Sequence, residues 1–346
     1  MVKESLMAIQ KWVLKATPLH QDQRLDDVLV GWLPGVLKQP ISKGKVRKLV
    51  MAGAVYLNGK RVQIASKPIR ANAVIQVCVD LKKLNTESTQ RDRLFEMTSE
   101  RVIYEDDHLI VVNKPPGLPT QPTLDEARDN LFAAVKKFMA HRSREPIGQI
   151  YLGLHHRLDR DTSGLILLTK TKEANPGIAE LFKSHGISKV YNALTVPRST
   201  PPMNEWEIKN YLGRSKASGK KNVFCSVRSG GDFAHTEFRL LENLGGAYWI
   251  EARPLTGRTH QIRVHLSEDQ MAILGDPTYS SRSSGPVSAS TERVIPRLML
   301  HAVSLTFTHP ILQTRIAVQS PLPEDFSRCL DTLRHAGRDS ERRPRS

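Results

Sequence analysis

A carboxylate set between arginines is the first place where this sequence could do chemistry. In the stretch 155–170, Asp159 lies behind Arg157 and ahead of Arg160, and Asp161, Thr162, Ser163 and Gly164 follow. Then comes the apolar run Leu165 to Leu168. A short apolar run bounded by turn residues predicts a buried strand, which puts Asp159 on a tight polar turn just ahead of it. An unpaired buried carboxylate is costly. One held at the edge of a core by an arginine is a candidate for catalysis. The same residues also fit a plainer description, a turn whose Asp, Thr and Ser satisfy loose backbone donors.

Two further polar clusters follow. Lys189 and Tyr191 alternate along a predicted strand, 188–196, with Ala193 on their side and Val190, Leu194 and Val196 on the other. The segment 256–265 is dense in Arg258, His260, Arg263 and His265. Thr259 could cap a helix there; alternation would equally permit a strand with Gln261, Arg263 and His265 on one polar face. In either form Arg263 is flanked by Ile262 and Val264. An arginine beside core positions calls for a carboxylate partner, and Asp159 is the candidate. A metal site could draw on Asp159, Asp161, His155, His156, His260 and His265, but none has a recognised ligand spacing and the arginines would repel a cation. No glycine-rich loop ends in Lys-Ser or Lys-Thr, which argues against a phosphate-binding loop.

These clusters must be positioned by the elements around them. The 346 residues suffice for about two domains. Lys and Arg total 51 against 35 acids, a formal charge of +16, which favours an anionic partner such as nucleic acid. Cys78, Cys225 and Cys329 show neither zinc spacing nor a disulfide framework, and a reducing compartment, the cytoplasm, is expected. No apolar stretch approaches membrane-spanning length. Residues 1–18 read as an N-terminal extension. A helix starting at Arg24 is expected to break at Pro34-Gly35. A basic helix from Ser42 would carry Lys43, Lys45, Arg47 and Lys48 around an apolar side of Val46, Leu49 and Val50. Asn58-Gly59 between short β-prone runs is a hairpin signal, and 75–79 closes the unit as a strand. Residues 81–99 read as a linker. Beyond it, strands are expected at 102–112 around an acidic turn, at 233–241, 247–253 and 298–307, and helices at 126–141 and 178–182. Basic and Ser/Gly-rich loops are expected at 214–222 and 280–291. The arginine-rich tail reads as disordered.

The helix, basic helix and Asn-Gly hairpin resemble the alpha-L RNA-binding motif, whose basic helix lies on RNA phosphates. The pattern His156-Arg157-Leu158-Asp159 with Thr162-Ser163-Gly164 resembles the first motif of the RluA family of pseudouridine synthases. Four further stretches resemble that family in the same order: Glu105-Asp106 through Lys114-Pro115-Pro116-Gly117, Lys189 to Leu194, Leu255 to Leu266, and Gly275 to Tyr279 with Leu300-His301-Ala302. The resemblance implies an α+β fold, a pseudouridine synthase domain around a mixed, mainly antiparallel central sheet, with a small N-terminal alpha-L domain. The expected organisation is an extension at 1–18, the RNA-binding domain at 19–80, a linker at 81–99, the catalytic domain at 100–330 and a disordered tail at 331–346. By resemblance, Asp159 would be the catalytic aspartate, Tyr191 would stack on the target base, Arg263 would pair with the aspartate, and Arg157 would fill the gap left by a flipped base. Isomerising uridine to pseudouridine breaks the N1–C1′ bond and rejoins the ring through C5, so no cofactor and no metal are expected. The expected partner is RNA, ribosomal by preference and transfer RNA as the alternative, acted on by a monomer. A non-catalytic RNA-binding protein on the same scaffold is the reading from another class.

Overall fold

The computed structural model describes residues 9–80, 95–122, 129–215, 223–280 and 295–342. The chain divides into two units, 1–95 with 122–129, and 96–121 with 130–346. Each is built around its own apolar core.

In the first unit the order is β1 (Ile9–Lys15), α1 (Leu25–Leu37), α2 (Lys43–Met51), β2 (Val55–Leu57), β3 (Lys60–Val62) and β4 (Val74–Asp80). The sheet order is β1-β4-β2-β3. Asn58 and Gly59 both take positive φ, 49° and 76°, as the tight β2–β3 turn requires. The Asn58 side chain accepts the Val74 N–H at 2.7 Å, tying that turn to β4. Two expectations are corrected. Residues 9–15 are not a separate extension: they pair antiparallel with β4 from Ile9↔Asp80 to Lys15↔Val74, and Trp12 and Leu14, alternate residues of that strand, pack against the core. The helix does not break at Pro34-Gly35. Pro34 gives up one backbone hydrogen bond, but Leu33 before it and Leu37 beyond it are both buried, and α1 ends instead at Lys38 in the left-handed conformation.

The second unit runs β5 (Val102–Glu105), β6 (Leu109–Lys114), α3 (Leu131–Ser143), β7 (Gly153–Leu154), β8 (Ser163–Thr169), α4 (Ala174–Lys183), β9 (Ser188–Thr195), β10 (Glu205–Arg214), β11 (Phe224–Ser226), β12 (Asp232–Asn243), β13 (Tyr248–Pro254), α5 (Gln261–Glu268), β14 (Leu300–Thr308), β15 (Arg315–Gln319) and α6 (Glu324–Arg342). Its sheet has the order β11-β10-β12-β13-β9-β14-β8-β6-β5, with β15 on β14 and β7 on β8. Among the described residues β14 and β8 form the one parallel pair; the rest are antiparallel. This is the mixed, mainly antiparallel α+β architecture expected. All seven residues of β8 are buried, which explains its unbroken apolar run. Gly164 sits at φ 117° where β8 meets β14, and a Cβ there would lie 2.2 Å from the Ala302 carbonyl oxygen. Only glycine fits that crossing.

Other boundaries moved. The second unit starts at Glu96, with Met97 buried, so the linker's last residues belong to the fold; 81–94 lie outside the described residues. The helix expected at 126–141 occupies Leu131–Ser143, started by the Asn130 side chain accepting the Ala133 N–H. The tail is not disordered as far as it is described. α6 continues to Arg342, and along its first part Phe326, Cys329, Leu330 and Leu333 complete an apolar cluster with β9, β13 and β14 residues. Arg334 pairs with Glu242 at 2.7 Å and lies over the Trp249 ring. The strands β10, β11 and β15 were not foreseen, and the Ser/Gly stretch 281–291 and residues 216–222 lie outside the described residues.

Candidate active site

The turn carrying Asp159 is held from beneath by two residues of the β6–α3 segment. Thr120 Oγ1 donates to the Leu158 carbonyl at 2.8 Å and accepts the Leu158 N–H at 3.2 Å. Lys114 Nζ donates to the Arg160, Leu118 and Pro115 carbonyls at 2.9, 2.8 and 3.0 Å. Lys114 is fully buried, and that burial pushes its ammonium down to about 7, against the opposing charges of Asp161 and Asp159. The Thr162 N–H closes the turn on the Asp159 carbonyl at 3.2 Å. With its backbone fixed on both sides, Asp159 presents its carboxylate at the core's edge, its side chain 29 % exposed.

Within the segment 256–265 a helix, α5, begins at Gln261. His260, at φ 58°, is the N-cap in place of Thr259. No side chain caps the helix; the Gln261 side chain instead braces the turn that leads into it, accepting the Arg258 N–H at 3.0 Å and the Thr256 hydroxyl at 2.7 Å. In the first turn, Arg263 reaches two carboxylates. Its Nη1 donates to Asp159 Oδ2 at 2.9 Å, while Nε and Nη2 clasp Asp276 at 2.8 and 2.9 Å. Asp276 is also held by the Thr278 and Tyr279 N–H groups. Burial alone would lower the Arg263 pKa, but the hydrogen bonds and charge of Asp276, with Asp159 behind, raise it. A fork engaged on both sides is a rigid partner for a carboxylate.

Tyr191 is half-buried on β9, in register with Ala252 of β13 and Ala302 of β14. Those small neighbours crowd its ring little. Burial, and then the charge of Asp159, raises its hydroxyl pKa, so it stays protonated at neutral pH. Asp159, Arg263 and Tyr191 are therefore brought to one place. Arg157 is exposed on the Asp159 turn, and Arg160 turns aside to pair with Asp161 at 2.9 Å.

The basic helix is partly occupied from within. Lys43 pairs with Asp27, and Arg47 with the fully buried Asp26 at 2.7 Å. Burial would raise the Asp26 carboxyl, but hydrogen bonds from Arg24 and Arg47 hold it down at about 2. Lys45 makes no ion pair among the described residues; the Lys48 side chain lies outside them.

The histidines weighed as metal ligands do not converge. His155 bonds Asn175, His156 accepts the Leu167 N–H, and His265 spans Thr236 and Asn210. His260 alone of the four is near Asp159, at 3.8 Å. Sequence reasoning missed Lys114, Thr120 and Asp276. Lys114 had a signal, a lysine ending an apolar strand before Pro-Pro, where a buried ammonium must find carbonyls.

A family model described as RNA pseudouridylate synthase matches residues 108–268, and the S4 domain model matches 23–75. The chain is 31% identical over 317 residues to the ribosomal large subunit pseudouridine synthase C of Vibrio vulnificus (strain CMCP6), covering 90% of this chain and 93% of that protein. It is 29% identical over 308 residues to the ribosomal large subunit pseudouridine synthase D of Zymomonas mobilis subsp. mobilis (strain ATCC 31821 / ZM4 / CP4), covering 87% and 94%. Among solved structures, human RNA pseudouridylate synthase domain containing 4 superposes with a TM-score of 0.53 at 28% identity, over 68% of this chain and 94% of that one.

Proposed function

As a member of the RluA family of pseudouridine synthases, this chain is an isomerase acting on RNA, and we propose that it modifies uridines of large-subunit ribosomal RNA. The observation that carries the substrate is near full-length similarity to relatives named for that subunit. In this reading Asp159 is the reacting carboxylate. It attacks C1′, attacks C6, or removes a sugar proton; all three routes use one ionised oxygen beside a fixed cation, which Arg263 supplies. The first route resembles retaining glycosidases, where a carboxylate meets a developing sugar cation. The ring is then reattached through C5, the C5 proton is lost, and N1 gains one, so the chemistry balances without a cofactor. Tyr191 stacks on the base, which recovers roughly 1–3 kcal/mol of the few kcal/mol that flipping costs. Arg157, exposed beside Asp159, fills the vacated stack. A cytoplasmic, monomeric enzyme completes the proposal; the three free cysteines fit a reducing compartment.

Mapping pseudouridines across total RNA from cells with and without the gene tests the substrate. At least one site should vanish from large-subunit RNA. Loss confined to transfer RNA would replace the substrate, and an unchanged map would remove the reading.

The S4 unit is proposed to anchor the RNA through Lys43, Lys45, Arg47 and Lys48. Since Lys43 and Arg47 already face acids, Lys45 is the clean probe. Lys45→Ala should weaken binding to all RNA sequences alike and reduce the slope of log affinity against log salt by about one. An unchanged slope would take Lys45 off the RNA.

A further inference from the structure

His260 stands against the reacting carboxylate, and none of the roles above uses it. Its Nδ1 lies 2.9 Å from the Tyr279 hydroxyl, and its Nε2 lies 3.8 Å from Asp159 Oδ2. The ring is fixed edge-on between Phe224 and Tyr279, with centroids at 5.8 and 5.6 Å. The backbone that delivers it is left-handed, φ 58°, a conformation a non-glycine residue rarely adopts and one often found at functional sites.

The hydrogen bonds decide where the imidazole proton sits. The Tyr279 hydroxyl oxygen already accepts the Phe224 N–H at 3.0 Å, and Tyr279 is 1% exposed. A phenol has one hydrogen to give. If it goes to Nδ1, the phenol and Nδ1 satisfy each other, and the neutral ring carries its own hydrogen on Nε2, facing Asp159. With the other tautomer, the Tyr279 hydrogen has no acceptor among the described residues, and a bare Nε2 lone pair is turned on a carboxylate. The first arrangement wins on both counts.

We propose that His260 is a positioning residue for Asp159: Tyr279 fixes its tautomer, and its Nε2–H restrains the same carboxylate oxygen that Arg263 holds. This rests on the reading of Asp159 as the reacting group. Arg263 approaches Asp159 from the first turn of α5 and His260 from the cap, so together they leave the carboxylate little freedom to swing. At 3.8 Å the His260 contact is open in the free enzyme. It tightens when substrate excludes water, as such contacts commonly do. The charged groups facing the ring are Asp159, Asp276 and Arg263. Burial holds the imidazole below its ordinary pKa over the pull of Asp159 and Asp276, with Arg263 helping, so it is the neutral tautomer that operates at pH 7.

Two variants of the full chain separate positioning from mere structure. The side-chain nitrogen of glutamine reaches the place of Nε2, whereas that of asparagine reaches only the place of Nδ1. Asparagine, however, tolerates the left-handed backbone better. A structural role therefore predicts that His260→Asn is the better variant, and a positioning role predicts the reverse. We expect His260→Asn to lose roughly ten- to hundredfold in kcat with KM for RNA little changed, the cost of a small misplacement, and His260→Gln to recover most of it. The long-range 15N spectrum of the wild-type imidazole should show a bare Nδ1 and a protonated Nε2, and Tyr279→Phe should abolish that preference. Turnover of the Asn variant equal to or above that of the Gln variant would overturn the proposal, and so would a protonated Nδ1 in the wild type. The spectrum needs no turnover, so it tests His260 separately from the role of Asp159, which Asp159→Asn decides.

Discussion

Asp159→Asn should cost about 10⁴-fold or more in turnover, on the scale of removing one member of a catalytic group, while RNA still binds. Asparagine keeps the shape of the side chain, and its amide oxygen can still meet Arg263 Nη1, which now stands 2.9 Å from the carboxylate. Arg263 remains clasped by Asp276 through its other two nitrogens. The turn is unaffected too, since Thr120 and Lys114 hold it by backbone groups of Leu158 and Arg160. What is lost is a nucleophile and base: an amide can neither bond to C1′ or C6 nor accept a sugar proton. Pseudouridine formation and RNA affinity should be measured separately on the same preparation. A variant that turns over at the wild-type rate would remove Asp159 from the chemistry, whatever the route.

Arg263→Leu should hit stability as well as rate, because the arginine serves two carboxylates of different burial. Asp159 is partly exposed and Asp276 is not exposed at all. Without the guanidinium, Asp276 becomes a buried charge held only by the Thr278 and Tyr279 N–H groups. Breaking a buried pair by removing one partner costs about 3–5 kcal/mol, and Tm should fall by roughly 10 °C in a unit of this size. Adding Asp276→Asn removes the stranded charge. The double variant should regain much of the stability, since an asparagine oxygen still accepts both N–H groups, yet its turnover should stay low because Asp159 still lacks its cation. Thermal unfolding and kcat on the single and double variants check both halves. A single variant as stable as wild type would mean that Asp276 does not depend on Arg263; turnover regained in the double variant would mean that Asp159 does not.

The elements around the site were legible where side-chain pattern and local chemistry agreed. Asn58-Gly59 gave its hairpin because two positive φ angles leave few other choices, and Leu165 to Leu168 gave β8 because a fully buried strand must be apolar throughout. The pairing of Asp159 with Arg263 followed from the cost of leaving an arginine among Ile262 and Val264 unpartnered. The second partner, Asp276, was not foreseen, because a Gly-Asp-Pro turn looks the same whether its carboxylate caps its own backbone or also takes a guanidinium. The helical form of 261–268 was undecidable locally: it rests on Gln261 folding back over Arg258, and on His260 accepting a strained backbone. Strand β10 has a legible signal, for Trp206, Ile208 and Leu212 fall on alternate positions. The break signalled by Pro34 is overridden by the burial of Leu33 and Leu37, and the disorder signalled by the basic tail is overridden by the apolar stripe of Phe326, Cys329, Leu330 and Leu333 on α6.

That stripe bears on how the enzyme is made. The apolar cluster it completes begins with Ala193 and Leu194, the strand residues just past Tyr191, and closes with Phe326, Cys329, Leu330 and Leu333. The two ends of that core are separated by most of the second unit. Contacts so distant in sequence form late and slowly, and an N-terminal unit with its own core can fold first during synthesis. The RNA-binding unit can therefore be finished while the catalytic one is still emerging, and the nascent chain acquires the means to hold RNA before it has the means to modify it.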